Sequence, residues 1–202
     1  MADDCAADAP LHGAPAVRCA RALRQPLVVA GSLGTHIVWA VQNGHAALFL
    51  ERLGLPRSMT ALVLMFAPLS GLLVQPTVGL LSDRCMSAWG RRRPFVVGGA
   101  AACIACLAAM AAASAMAGSA TLLARALGIA GIIGIDVSLN AMAAAHRALI
   151  TDLFPADEQD SVNAWGARLG GLGSVLGYVL GRADLRAATH GDQLSVLALT
   201  AA

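Results

Sequence analysis

Residues 79–95 read GLLSDRCMSAWGRRRPF, a dense cluster of charge set between two long apolar runs. The pair Asp83-Arg84 is followed by Gly90, the triplet Arg91, Arg92 and Arg93, and then Pro94. Arginines crowded beside a hydrocarbon stretch stay on the cytoplasmic side of a bilayer, so this segment speaks to orientation as well as to class. Outward from it the chain is apolar. Of its 202 residues, 57% are hydrophobic and 13% charged, and the mean hydropathy is +0.68. That is too apolar for a soluble domain of this size.

All the basic charge is arginine, and the net charge of +2 carries little information about acidic partners. Nucleic acid is excluded as a partner, because no basic stripe with interleaved aromatics lies outside the membrane flanks. The N-terminus places Asp3, Asp4 and Asp8 ahead of Arg18, Arg21 and Arg24, and the first apolar run is too long for a signal-peptide core. Cys103 and Cys106 form a C-x-x-C inside an alanine-rich run with no second pair and no nearby histidine. They read as small packing residues, not as a zinc or redox site, and Cys5, Cys19 and Cys85 imply no disulfide framework.

A helical span takes roughly 20 apolar residues, which predicts spans at about 26–50, 59–81, 95–117, 121–144 and 162–181. The expected fold is an all-α polytopic membrane bundle, with an N-terminal tail over 1–24 and a transmembrane bundle over 25–202. The last residues, LSVLALTAA, read as the opening of a sixth span from about residue 192, as in a fragment of a longer protein. If the N-terminus is cytoplasmic, the inner segments hold Arg18, Arg21, Arg24, Arg84, Arg91, Arg92, Arg93 and Arg147. The outer ones hold Arg52, Arg57, Arg182 and Arg186, and Arg125 and Arg168 fall within spans. The imbalance favours a cytoplasmic N-terminus.

Polar residues are uneven along the spans. Span one carries His36, Gln42, Asn43 and His45, and span four carries Asp136, Asn140 and Arg147. Spans two and three are nearly pure hydrocarbon, apart from Ser70 and Gln75 in span two. Intramembrane polar groups are expensive and face a bundle interior or a water-filled cavity. Spans one and four lead two successive three-helix units, the pattern of a transporter half built from inverted repeats. Span five repeats glycine at Gly166, Gly170, Gly173, Gly177 and Gly181, a spacing for close helix packing and not for phosphate binding.

The segment from Asp83 to Pro94 resembles the cytoplasmic signature loop of the major facilitator superfamily, with about four extra residues before Gly90. That longer form resembles the sucrose and α-glucoside transporters among the glycoside–pentoside–hexuronide cation symporters. WAVQNGHAALFLERLGLP (Trp39 to Pro56) and APLSGLLVQPTVGLLSD (Ala67 to Asp83) are similar to that family's first two helices. IDVSLNAMAAAHRALITDLFP (Ile135 to Pro155), NAW (Asn163 to Trp165), Arg168 and GSVLGY (Gly173 to Tyr178) are similar to its fourth and fifth, nearest the fungal branch. The resemblance implies the N-terminal half of a twelve-helix, proton-coupled disaccharide importer. The chain also departs from the pattern, with Gln42 where fungal relatives have Glu and Leu48 where the family has proline.

Asp136 is the expected proton-coupling residue; alternatively it bonds to the backbone of the fourth or fifth helix for structure. A carboxylate near the centre of a span costs about 2.5–3.5 kcal/mol, so protonation relieves a real penalty. The resemblance puts an important acid at this position and an important arginine at Arg147. Arg147 returns to within about 20° of the same helix face but lies about 16 Å further along, so the two cannot pair directly. Its planar fork suits sugar hydroxyls; alternatively it anchors the helix at the interface. Asn140 lies between them, as a ligand donor or as packing glue. In span one, Trp39, Gln42 and His45 share a broad face and would form a sugar-binding wall, although Trp39 also suits plain packing. The loop residues Asp83, Arg84, Gly90, Arg91, Arg92 and Arg93 are expected to gate. Asp83 sits at a helix C-terminus, where negative charge needs a partner, either a nearby arginine or a helix N-terminus in the other half. The resemblance implies the second.

The expected function is proton-coupled disaccharide transport across a membrane, the plasma membrane above others. The partners are the disaccharide and protons, the lipid bilayer, and a missing C-terminal half or a full-length relative. The alternative is a truncated, non-transporting protein that associates with or regulates such a relative. No enzyme motif, cofactor or metal site is expected, since H-E-x-x-H, G-x-S-x-G and an acidic pair across two spans are all absent.

Overall fold

Runs of alanine, leucine, isoleucine and glycine become helices here, and proline, glycine or charge ends several of them. The computed structural model describes residues 23–116 and 121–182, and among these there is no strand. The tail with Cys5, Cys19, Arg18 and Arg21, then Arg186 and the expected sixth span after it, lie outside the described residues. A short helical segment over residues 23–29 leads into α1 (Gly31–Arg52). There follow α2 (Arg57–Leu64), α3 (Phe66–Asp83), α4 (Arg93–Ala115) and α5 (Leu122–Leu153). A 3-10 turn (Ala156–Glu158) then precedes α6 (Gln159–Arg182).

The helix ends have local causes. At the end of α1 the Gly54 amide donates to Glu51 O at 2.9 Å and the Leu55 amide to Leu50 O at 3.1 Å. This paired closure needs a left-handed residue, and Gly54 supplies it with φ +79°. Pro68 has no amide to offer Leu64, which explains why α2 and α3 are two pieces broken at Met65. Thr121 caps α5 by accepting from the Ala124 amide, and Phe154 turns extended ahead of Pro155 to end it. The fourth expected span is thus only the front of a 32-residue helix.

Helix α5 is the hub and touches every other described helix, while α6 packs chiefly on α1. Its contact with α4 is a set of knobs on glycines: Met142 lies over Gly99, Met110 over Gly131 and Cys106 over Gly134. Cys103 is buried in the same core, so both members of the C-x-x-C act in packing. On α6, Gly170 faces the His36 ring, Gly173 the Leu33 carbonyl, Gly177 Ala40 and Ile37, and Gly181 the His45 ring. His36 and His45 lie half a turn apart on α1, yet both reach the α6 glycine row. The row lets two backbones approach closely enough for side chains from either flank to enter.

Two ends of the bundle can be recognised. At one, Arg24 donates to Leu153 O and Gln25 to Glu158, beside the Asp83–Arg93 loop. At the other, Arg125 in the first turn of α5 donates to Leu53 O at 3.0 Å. Arg125 therefore sits at the front end of the Leu122–Leu153 helix. Among the described residues, three helical stretches are long and apolar enough to cross a membrane: Arg57–Asp83, Arg93–Ala115 and Leu122–Leu153. α1 and α6 are of similar length but carry His36, Gln42 and Asn43, and Asp160, Asn163 and Arg168. Many large apolar side chains remain exposed, among them Leu72, Leu73 and Leu80 on α3 and Val175 and Val179 on α6. Such faces suit a lipid surround.

The α1–α6 contact makes a direct forecast. A methyl group on Gly173 would run into the Leu33 carbonyl, whereas Gly171 faces open space. Gly173→Ala should destabilise the bundle by about 1–3 kcal/mol, and Gly171→Ala should be neutral or slightly stabilising. Thermal unfolding in detergent compares them, and equal midpoints would contradict the packing described.

Candidate functional site

One face of α5 carries a line of polar side chains, and α1 and α3 supply its partners. Asp136 is 3% exposed, and its Oδ1 accepts from Gln42 Nε2 at 2.9 Å. The same Gln42 nitrogen lies 3.5 Å from Ile132 O, while the buried Gln42 Oε1 has no hydrogen-bond partner among the described residues. No cation is paired with Asp136 among the described residues.

One turn on, Asn140 Nδ2 donates to the Asp136 carbonyl at 2.9 Å and to Ser70 Oγ at 3.0 Å. Its Oδ1 accepts from Gln75 Nε2 at 2.6 Å, and Gln75 Oε1 accepts from Arg147 NH2 at 2.7 Å. Arg147, Asn140 and Asp136 are thereby linked along α5 without a direct ion pair. Arg147 is exposed, and Gln42, Asn140 and Ser70 are buried.

The structure brings together Gln42, Asp136, Asn140 and Arg147 among the expected residues. It does not bond Trp39 or His45 to that line. Trp39 packs edge-on to His36, 5.8 Å between ring centres, and against the main core. His45 lies against Gly181 on α6. Both keep part of their surface. Ser70 and Gln75 complete the line, and sequence reasoning placed them only as exceptions in an apolar span. Their signal is present in the sequence, because polar side chains inside a span are functional candidates by default.

The loop centres on Arg92, 8% exposed. Its guanidinium pairs with Asp83 at 2.5 Å and with Asp152 at 3.1 Å. It also donates to Ser82 Oγ at 2.5 Å, and Arg91 reaches Asp152 at 3.4 Å. Burial disfavours the Arg92 charge, but hydrogen bonds and charge from Asp152 and Asp83 outweigh this and hold its pKa above the ordinary arginine value. Asp83 thus has a nearby arginine as its partner within this chain, one of the two partners the sequence allows for it. Gly90, at φ +99°, supplies a left-handed turn that residues with a Cβ rarely adopt, and Arg84 and Arg93 are exposed. Asp152 is not legible as a loop partner in the sequence, because it lies far along the chain, in the last turn of α5.

A cavity of about 240 Å³ lies between α1, α5 and α6, lined by Ser32, His36, His146, Arg147 and Asn163 among others. Backbone carbonyls orient both imidazoles in it: His36 Nδ1 lies 2.7 Å from Ser32 O, and His146 Nε2 lies 2.8 Å from Val28 O.

The family model described as Major Facilitator Superfamily matches residues 7–178. The chain is similar to the general alpha-glucoside permease of Schizosaccharomyces pombe, 36% identical over 156 residues, which is 74% of this chain and 28% of that protein. It is also similar to sucrose transport protein SUC4 of Arabidopsis thaliana, 34% identical over 165 residues, 76% of this chain and 32% of that one. A third relative is solute carrier family 45 member 4 of Mus musculus, 32% identical over 170 residues, 79% of this chain and 21% of that one. The chain spans about a third or less of the length of these relatives. No solved structure matches it.

The Arg92 cluster yields a stability prediction. Arg92→Lys keeps the charge but loses the forked donors, and should cost about 1.5–3 kcal/mol. Arg93→Lys, at an exposed position, should change little. Denaturant unfolding in detergent decides the matter, and equal effects from the two variants would contradict the central place of Arg92.

Proposed function

The chain belongs to the Major Facilitator Superfamily, a multi-pass membrane protein, and from that premise we propose that it takes part in proton-coupled import of a disaccharide such as sucrose or maltose. The observation that carries this reading is Asp136. It is a buried carboxyl within an apolar helix, held by a neutral amide with no paired cation among the described residues. Such a group is costly as an anion and is relieved by a proton. Opening the site to water favours release, and closing it favours loading. A membrane potential adds about 2.3 kcal/mol per charge per 100 mV to the inward movement of each proton.

The sugar would lie against the α1 and α5 faces. Arg147 offers the exposed fork, Trp39 and His45 offer partly exposed rings, and Asn140 holds the line between Arg147 and Asp136. The unpaired Gln42 Oε1, beside the proton site, supports Gln42 as an acceptor for a sugar hydroxyl. Asp83, Arg84, Gly90, Arg91, Arg92 and Arg93 would form the gate, with Arg92 holding its loop to Asp83 and Asp152. The arginine-rich end is assigned to the cytoplasm, with the N-terminus on that side of the plasma membrane. The bundle over 25–202 would act with a second half that supplies the facing wall.

In the full-length transporter, Asp136→Asn should abolish pH-dependent accumulation of labelled sucrose or maltose while facilitated exchange survives. Uptake measured across a pH series provides the check, and undiminished proton-driven accumulation would overturn the role of Asp136.

A further inference from the structure

Arg147, Gln75, Asn140 and Ser70 form a hydrogen-bonded chain that runs one way. An arginine has donors and no acceptor, so the Gln75 oxygen must be the atom that meets it, at 2.7 Å. That choice turns the Gln75 nitrogen toward Asn140, where Oδ1 accepts at 2.6 Å. The Asn140 nitrogen then faces Ser70 Oγ at 3.0 Å and the Asp136 carbonyl at 2.9 Å. Ser70 passes the direction on, donating to Ala67 O at 2.8 Å. Both amides, ambiguous in isolation, are oriented by the cation at the head of the chain.

The surroundings are shaped for this chain. Gly71 lies one turn before Gln75, and a Cβ there would come within 3.3 Å of Asn140 Oδ1 and 3.7 Å of Gln75 Nε2. The partner of Arg147 is a neutral amide, and no carboxylate is paired with it among the described residues. A carboxylate would occupy the fork with a charge-assisted pair. An amide fixes one donor and leaves the charge and the remaining donors available to neutral hydroxyls.

We propose that Gln75 is the positioning residue for Arg147, holding its guanidinium uncompensated toward the sugar and tying its placement to the Asp136 turn through Asn140. The proposal rests on the reading of Arg147 as a sugar contact. Gln75 itself touches no substrate and gives up no proton; it acts through Arg147.

A double-mutant cycle on sugar KM in the full-length transporter separates positioning from a merely structural role. Gln75→Met keeps the length and helix preference of the side chain and removes both of its bonds. Alone, it should raise the KM for labelled sucrose or maltose roughly tenfold with kcat little changed. Arg147→Ala should raise KM at least as much, and adding Gln75→Met to it should change KM by less than about twofold. An equal Gln75→Met effect with and without Arg147 would mean a structural role alone and would overturn the proposal. An unchanged KM in Arg147→Ala would overturn the sugar-contact reading beneath it, and the proposal with it. Should Gln75→Met fail to reach the membrane, Gln75→Leu carries the same cycle, and binding of the labelled sugar to purified protein in detergent replaces uptake.

Discussion

Asp136, Asn140 and Arg147 project from one side of α5, and the placement of α1 and α3 answers their need for partners. A polar group left unpaired in an apolar interior loses its hydration and gains nothing in return. Gln42 comes from α1 to meet the Asp136 carboxyl, and Ser70 and Gln75 come from α3 to meet Asn140 and Arg147. Three helices distant in sequence are thus held in register by hydrogen bonds at the level of the proposed site. Apolar packing alone would tolerate sliding, because neither leucine nor alanine marks a unique position along a helix.

Around that line the contacts are close and mostly small-to-large. Methionines and a cysteine seat on glycines between α4 and α5, and the α6 glycines receive backbone and imidazoles from α1. In lipid, where tails are as apolar as the helix surface, association depends on this kind of close fit more than on burial. At the arginine-rich end Arg92 gathers the last turn of α3, the start of α4 and the last turn of α5 on one guanidinium. The loop is therefore a structural clasp as well as a charge signal. A gate built on it would have to act on those same carboxylates.

Much of the fold is legible in the amino-acid sequence, for reasons that are local. Apolar runs, proline and glycine punctuation and the arginine cluster indicate helices, turns and charge-bearing ends. The α5 face is legible because Asp136, Asn140 and Arg147 lie on one element, where helix periodicity places them relative to each other. Gln42 is legible as a polar residue in a span, but its bond to Asp136 is not. The roles of Gln75 and Asp152 are hidden because their meaning depends on which helix stands opposite. His36 and His45 show the same limit: periodicity sets them half a turn apart on α1, and only the facing glycine row of α6 explains why both rings pack on one neighbour.

By itself the sequence determined the class of molecule, the helices and their punctuation, and the family through its loop and helix motifs. These follow from composition and near-neighbour chemistry, which each short segment carries within itself. Only the tertiary structure decided the partners: Gln42 for Asp136, Gln75 for Arg147 and Asn140, and Asp83 and Asp152 for Arg92. Periodicity gives a side chain's direction on its own helix, but the rotation, depth and tilt of one helix against another come from packing the whole bundle.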